Sequence, residues 1–428
     1  MGTKHLGDRL IILIALLTVL IFLGAKQDIS HGPTNPLLFF SQLFAVLGAV
    51  LFSLSFVISS RARFIERLLD GLSDAYKTHH FIGALGFTLL INHPVLLILK
   101  AFFNESSTKL YFLPVGPVSY SYGIIALYSL IALIVVTLFI NLPYNTWKFT
   151  HTFMGLSLIF ALAHVFNIQS DVSRNLALEI WVKAFLLLGC LAYLYKILLY
   201  RKLSGSYLYK LVGLDTTGKV LNLFAFPKGK PITFSAGQYA FIRVLDNKGI
   251  SREEHPFSIV EQMTDGKVTF SIKKSGDYTN RLDDLKVGNS LQIIGPFGLI
   301  HKKINTKQDC VFIAGGIGIT PFVGAVKVAL DLGRKAYLFY SIREQSENLY
   351  DDRFRDLSGK SDKLHYELWM SNVQGRLSIS SIQDKVGALD NKLFLICGPK
   401  AMMYDLSKQL KEKGVKSENI YMEDFALR

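Results

Sequence analysis

Cysteine is scarce in this chain: of 428 residues only Cys190, Cys310 and Cys397 are cysteines. None falls in a CxxC or CxxCH pair, which excludes a disulfide framework, a cysteine-based zinc site and thioether-linked haem. Charged residues are also few, 19% of the chain, and their imbalance runs one way, to a formal net charge of +14. No D-x-[DN]-x-[DN]-G calcium loop is present, and neither a repeat of 20–50 residues nor a low-complexity tract can be found.

What the chain has in abundance is apolar residues, 50% of the total, with a mean hydropathy of +0.32. Apolar content on this scale belongs partly in lipid, so the basic excess suits anionic headgroups and a phosphate-bearing cofactor and argues against nucleic acid as a partner. Six runs approach the roughly 20 residues needed to cross a bilayer: 9–25, 36–60, 77–102, 118–140, 148–168 and 176–200. The first has Lys4 and Arg9 before it but no convincing small-x-small cleavage site after it, so it reads as a retained helix rather than a secretory signal. Basic residues gather at alternate ends, at Lys4 and Arg9, Arg61, Arg63 and Arg67, Lys77, Lys148, and Arg201, Lys202 and Lys210, with Lys26, Lys100, Lys109 and Arg174 the minority at the other ends. By the positive-inside rule those ends face the cytoplasm, in the plasma membrane, together with everything after the sixth span.

Beyond Tyr200 the pattern changes. Short alternating strands such as 239–244 and 267–272, broken by Gly, Asp and Asn, predict an antiparallel β-barrel-like domain over 206–302. From 303 to 428, short apolar strands at 310–314, 336–340 and 393–397 alternate with helical stretches, the mark of a parallel α/β nucleotide-binding domain. The fold class expected is therefore multi-domain: a six-helix transmembrane bundle over 1–205, then the β-barrel domain, then the α/β domain.

Five histidines fall in the predicted spans: His79, His80, His93, His151 and His164. Ionisable residues in lipid are costly and usually functional. His79 and His93 are 14 residues apart, nearly four helical turns, on almost one face and about 21 Å apart along the axis. His151 and His164 are 13 apart, so two neighbouring helices would offer two histidine pairs at two depths, each able to grip one haem iron from both sides. An offset of 13 turns His164 well off the face of His151, which Gly155, a helix distortion or different haem azimuths could absorb. His80 is the spare, for a propionate or for nothing.

Two further motifs lie in the domains after the bundle. His255-Pro256-Phe257-Ser258 is followed by Lys273 and a turn from Gly276 to Thr279. Such a strand lays an aromatic ring and a hydroxyl along a flavin, and the turn's backbone N–H groups can receive a pyrophosphate. Then Gly315, Gly316, Gly318 and Thr320 follow the strand 311–314 and open a helix near Pro321, where a dinucleotide phosphate can meet bare backbone. The run is not the GxGxxG fingerprint of an ordinary dehydrogenase. Cys397, Gly398 and Pro399 close a later strand at the sheet's carboxyl edge, where a nicotinamide can lie. Ser341 and Arg343 end the strand 336–340, and a basic residue there favours the 2′-phosphate of NADPH, although Glu344 adjoins it.

In order and spacing these segments resemble the ferredoxin-NADP reductase-type module of the NADPH oxidase and ferric reductase superfamily, and the paired histidines resemble its ferric-reductase-like membrane domain. The resemblance covers nearly the whole chain. It implies that His79 and His151 bind an inner haem b and His93 and His164 an outer one. It implies FAD contacts at His255, Pro256, Phe257, Ser258, Lys273, Gly276 and Thr279, and NADPH or NADH contacts at Gly315, Gly316, Gly318, Thr320, Ser341, Arg343, Cys397, Gly398 and Pro399. Phe425, fourth from the end, is the aromatic that would cover the flavin ring, and with Cys397 it is the catalytic candidate.

The activity implied is electron transfer from cytosolic NAD(P)H through FAD and two haems to oxygen, giving superoxide, with no protein partner required and no calcium control. Two alternatives stay open: reduction of a ferric chelate, and a membrane subunit that hands electrons to a partner protein. Some eukaryotic oxidases of this superfamily carry a histidine four residues beyond the outer ligand, where this chain has Leu97. That departure weakens the oxygen reading. The ferric reading lacks an acidic cluster, since the predicted outer loops carry only Asp28, Glu105, Asp171 and Glu179.

Overall fold

The computed structural model describes residues 4–29, 35–306 and 308–425, so Met1 and the three residues after Phe425 lie outside it. The chain divides after Tyr200 into two compact units.

The first unit is helical. Six helices are long and apolar enough to cross a membrane: Leu6–Lys26, Pro36–Ser59, Leu72–Phe103, Val118–Phe139, Tyr144–Asn167 and Leu176–Leu203. They are called the first to sixth spans below. The third begins earlier than hydropathy suggests because a polar turn continues the helix, tied by a 2.8 Å pair between Asp74 and Lys77 at i,i+3. Asn35 caps the second span, its Oδ1 accepting from Leu37 N at 2.9 Å, with Pro36 at the first helical position.

The second span is central: half of its apolar window is buried, against 11% for the third and fourth spans. Phe22, Phe52, Leu130, Leu158, Val182 and Leu186 form a core between spans. Leu10, Ile12, Leu16 and Leu20 of the first span face outward, as a lipid-facing surface requires.

The 13-residue offset on the fifth span is absorbed by an interruption. Helix Tyr144–Thr152 ends at Phe153 and helix Met154–Asn167 resumes after it. An unbroken helix would leave the rings of His151 and His164 roughly 140° apart. Gly155 adjoins the break, and a Cβ there would lie 2.2 Å from the Tyr193 ring, so only glycine lets the two segments pack against the sixth span.

The second unit holds two sheets. Strands β1 (Ser206–Thr217), β2 (Val220–Pro227), β3 (Tyr239–Val244), β4 (His255–Ser258), β5 (Glu261–Gln262), β6 (Val268–Lys273) and β7 (Ser290–Phe297) form a curled antiparallel sheet, a half-barrel, in the order β4-β3-β7-β1-β2-β6-β5. Alternation along β1 buries Tyr209 and Leu211 and exposes Leu208 and Val212. The Tyr209 hydroxyl, inside the sheet, accepts from Ile232 N at 3.0 Å.

The remaining strands, β8 (Asp309–Gly315), β9 (Ala336–Ile342), β10 (Leu364–Met370), β11 (Lys392–Cys397) and β12 (Ile420–Glu423), form a parallel sheet in the order β10-β9-β8-β11-β12. Its strands are almost wholly apolar, as a sheet covered on both faces demands. Strand order reverses between β8 and β11, and in such sheets ligands bind at the carboxyl ends beside that switch point.

Candidate functional site

In the helical unit a ladder joins the second and third spans. The Nδ1 of His93 lies 2.8 Å from the Ser41 hydroxyl and 3.0 Å from the Ser41 carbonyl. Fourteen residues along, the Nδ1 of His79 lies 2.9 Å from the Ser55 carbonyl. Midway between these rungs Gly48 meets Gly86, where a Cβ on either would come within 3.2–3.3 Å of the other's carbonyl oxygen. The pairs 41 with 93, 48 with 86 and 55 with 79 step by seven along each helix in opposite directions. The spans are therefore antiparallel in a heptad register, with small residues at the closest approach.

The fifth span supplies the partners. The rings of His79 and His151 are 6.1 Å apart between centroids, room for one ion about 2 Å from a nitrogen of each. His93 and His164 lie close enough to interact electrostatically. The Nδ1 of His164 bonds the Ser119 carbonyl at 2.7 Å, and Gly123 makes space for that ring: a Cβ there would sit 2.9 Å from it. His151 differs, because its buried Nδ1 has no hydrogen-bond partner among the described residues, while Trp147 stacks on its ring at 5.3 Å. His80 is beside His79, with centroids 5.6 Å apart.

A carbonyl can only accept, so Nδ1 of His79, His93 and His164 carries the proton and Nε2 keeps the lone pair that ligates metal. Among the described residues no group of three or more His, Cys, Asp or Glu could hold a bare ion. Two imidazoles per level suit an iron whose other four ligands come with a porphyrin, so His79 with His151 and His93 with His164 are the residues that could hold haem.

In the second unit a cleft of about 780 Å³ opens between the half-barrel and the parallel sheet. Pro256, Phe257 and Ser258 of β4, Lys273 at the end of β6, and Thr279 line one wall. Gly315, Gly316, Gly318 and Thr320 after β8, Ser341 and Arg343 where β9 ends, and Cys397, Gly398 and Pro399 after β11 line the other. Phe425, just beyond β12, closes one end and meets Tyr239 edge-on at 5.2 Å. The expected flavin residues His255 and Gly276 sit beside the cleft instead of in its wall. His255 stacks on Tyr278 at 3.7 Å and bonds Glu253 at 3.0 Å, while the Gly276 N–H donates to Thr279 Oγ1 at 3.0 Å.

The glycines after β8 serve two ends. A Cβ at Gly315 would lie 2.8 Å from Pro399, and one at Gly318 would lie 2.3 Å from the Cys397 carbonyl, so both admit the neighbouring chain. Gly316, at φ +52°, turns toward the cleft. Thr320 is buried and donates its hydroxyl to the Ile317 carbonyl at 3.0 Å, fixing the turn that precedes helix Phe322–Asp331. Cys397 is fully enclosed. Burial, then the Glu423 and Asp424 carboxylates, push its thiol well above the ordinary range, so it acts at neutral pH as an uncharged group.

Several cleft residues escaped the sequence reading, Glu347, Arg376 and Lys400 among them. The carboxylate of Glu347 accepts from Lys273 Nζ at 3.0 Å and from the Arg343 backbone N–H at 3.1 Å, and the Arg343 side chain itself is exposed. Burial alone would raise the Glu347 carboxyl, but the Arg343 N–H and Lys273 outweigh it and hold the group below its usual range. The heptad partners Ser41, Gly48, Ser55 and Gly86 were also missed, although the seven-residue spacing about His79 and His93 is a signal that finds them.

A helical membrane unit, a curled antiparallel sheet and a parallel nucleotide-type sheet sharing a cleft define a membrane oxidoreductase with FAD-binding and NAD-binding domains. Residues 44–163 match the ferric reductase like transmembrane component, 210–316 an FAD-binding domain and 312–408 the oxidoreductase NAD-binding domain. That order is the architecture of the NADPH oxidase and ferric reductase superfamily, and this chain has it.

Among curated proteins the chain is similar to the ferredoxin reductase component of a 3-ketosteroid-9-alpha-monooxygenase from Mycolicibacterium smegmatis, 26% identical over 47% of this chain and 60% of that protein. It is also 30% identical, over 33% of its length, to 38% of a component of the Na(+)-translocating NADH-quinone reductase of Yersinia pestis. The chain thus spans less than two thirds of the length of these two relatives. A flavohemoglobin from Malassezia yamatoensis aligns with a TM-score of 0.53 over 95% of this chain and 99% of that one; at 16% identity the likeness concerns the fold alone.

Proposed function

We propose that this protein carries electrons from cytoplasmic NAD(P)H across the plasma membrane to molecular oxygen, releasing superoxide, without a protein partner. The observation that carries this reading is the pair of histidine levels, each made from the third and fifth spans, with three of the four Nδ1 atoms bonded to backbone carbonyls. FAD, when bound, accepts two electrons as hydride and releases them singly, and haem b at the two levels supplies one-electron carriers that divide a hydrocarbon core about 30 Å thick.

The chain's own residues do the rest. Gly316 and the turn before Phe322 leave backbone N–H groups for a pyrophosphate. Lys273 offers a cation to the same phosphates, and Phe425 shields the end of the cleft from water. Ser55, Ser41 and Ser119 hold three imidazoles in one tautomer with Nε2 free for iron. His79 with His151 and His93 with His164 would hold the haems, which would supply one-electron transfer to the acceptor. Basic residues at Arg61, Arg63, Arg67 and Arg201 support a cytoplasmic second unit.

Oxygen is favoured over a ferric chelate by the carboxylates predicted on the outer side. Asp171 is engaged by Lys26 and Glu179 by Lys183, so two of the four carboxylates predicted there are already matched by lysines. In purified protein loaded with haem and FAD, NADPH should drive superoxide-dismutase-sensitive cytochrome c reduction at near-stoichiometric yield, with slow anaerobic reduction of ferric citrate. Fast anaerobic iron reduction with little superoxide would make the protein a metalloreductase. Failure of both assays would mean that it serves a partner.

A further inference from the structure

The two histidine levels are not equivalent: they differ at the Nδ1 of His151 and His164, and they differ again in the hydroxyl of Ser41. At the level of His79 and His151, among the described residues, the Nδ1 of His79 has a single acceptor, the Ser55 carbonyl, and the Nδ1 of His151 has none. At the level of His93 and His164, the Nδ1 of His164 has the Ser119 carbonyl, and the Nδ1 of His93 reaches both the carbonyl and the hydroxyl of Ser41. The hydroxyl proton is already committed, since Ser41 Oγ donates to the His93 carbonyl at 2.9 Å. The oxygen therefore faces the ring as an acceptor, and the Nδ1 proton of His93 is shared between two oxygens of one residue. Ser41 is completely buried, so no water competes for either bond.

Ser55, fourteen residues along the same helix, is the natural contrast. Its hydroxyl turns away from the histidine and donates to the Phe52 carbonyl at 2.7 Å. The ladder thus has two serine rungs, and only one of them presents its hydroxyl to the imidazole.

A hydrogen bond accepted from Nδ1–H makes an imidazole a stronger donor through Nε2, which favours the ferric over the ferrous state and lowers the potential of the iron it holds. We propose that the Ser41 hydroxyl is a positioning group for His93 that sets the reduction potential of the His93–His164 iron below that of the His79–His151 iron. The inference rests on the proposed haem binding and adds to it an order of potentials and the residue that makes it. The consequence is that the step between levels runs uphill in free energy, while the last carrier before the acceptor is the more strongly reducing one.

The test is an anaerobic optical redox titration of the haem-loaded full-length protein, with haem per protein measured in parallel, for wild type, Ser41→Ala, Ser41→Thr and Ser55→Ala. Two midpoints are expected in wild type. Ser41→Ala shifts the lower one upward and leaves the other, Ser41→Thr restores it by keeping a hydroxyl, and Ser55→Ala moves neither. Should Ser41→Ala release one haem, in line with the roughly 10–100-fold affinity loss usual for such partners, Ser41→Cys is titrated in its place. Its weakly accepting thiol gives a smaller upward shift of the lower midpoint. Full haem content with unmoved midpoints in Ser41→Ala, or equal movement of both, overturns this proposal alone. Wild-type protein that takes up no haem overturns the proposed function and this inference with it.

Discussion

Glu347 brings a negative charge into a cleft whose other features suit phosphate, and its ion pair with Lys273 offsets part of the charge that lysine offers to a phosphate. Glu347→Gln releases that lysine and removes the repulsion felt by a 2′-phosphate near Arg343. The KM for NADPH should then fall relative to that for NADH by a factor on the order of 5, the ~1 kcal/mol commanded by a partly screened ion pair. Steady-state kinetics with both nucleotides measures the ratio, and an unchanged ratio would remove Glu347 from nucleotide choice. The same pair has a pH signature. Since the folded carboxyl titrates below its ordinary value of 4.5, its contribution to stability is full above that pH and is lost as pH falls through the lower folded value. Acid unfolding of the detergent-solubilised protein should therefore be less steep below about pH 4.5 in Glu347→Gln than in wild type. At this scale the sequence was legible where a side chain ends a strand, as with Arg343. It was silent on Glu347, which reaches back from the irregular turn Gln345–Glu347, where no periodicity assigns a direction.

Gly48 and Gly86 mark where two helix backbones come closest. A Cβ on Gly86 would meet Phe52 N at 3.1 Å and Gly48 O at 3.3 Å, backbone atoms that yield only if the spans separate. Gly86→Val should cost about 1–3 kcal/mol and loosen the Ser41–His93 and Ser55–His79 rungs together, so haem per protein falls at both levels at once. Gly83, whose Cβ position is open, is the control: Gly83→Ala should leave haem content unchanged. Loss confined to one level in Gly86→Val would mean that the contact does not set the register. The six spans and the strands around the cleft could be read from hydropathy and alternation. The break at Phe153 could not, because no proline marks it and tertiary contact at Gly155 fixes it.

Across the whole molecule, basic residues gather at one end of the spans and the nucleotide-binding unit follows the sixth. NADPH added to sealed inside-out membrane vesicles should be oxidised, and superoxide should accumulate in their lumen. Right-side-out vesicles should stay inactive until permeabilised, and the reverse result would invert the proposed topology. Domain order was legible because each region has its own period, long apolar runs for helices and short ones for strands. The identity of the electron acceptor was not, since a small acceptor needs little local sequence to meet it. The heptad ladder carries a last consequence. Both histidines of the third span ride on one continuous helix clamped at its middle, so the spacing of the two histidine levels follows from the helical rise, about 21 Å along the axis. A thinner or thicker bilayer changes how much of the helix is covered, and leaves the step between its histidines as the backbone set it.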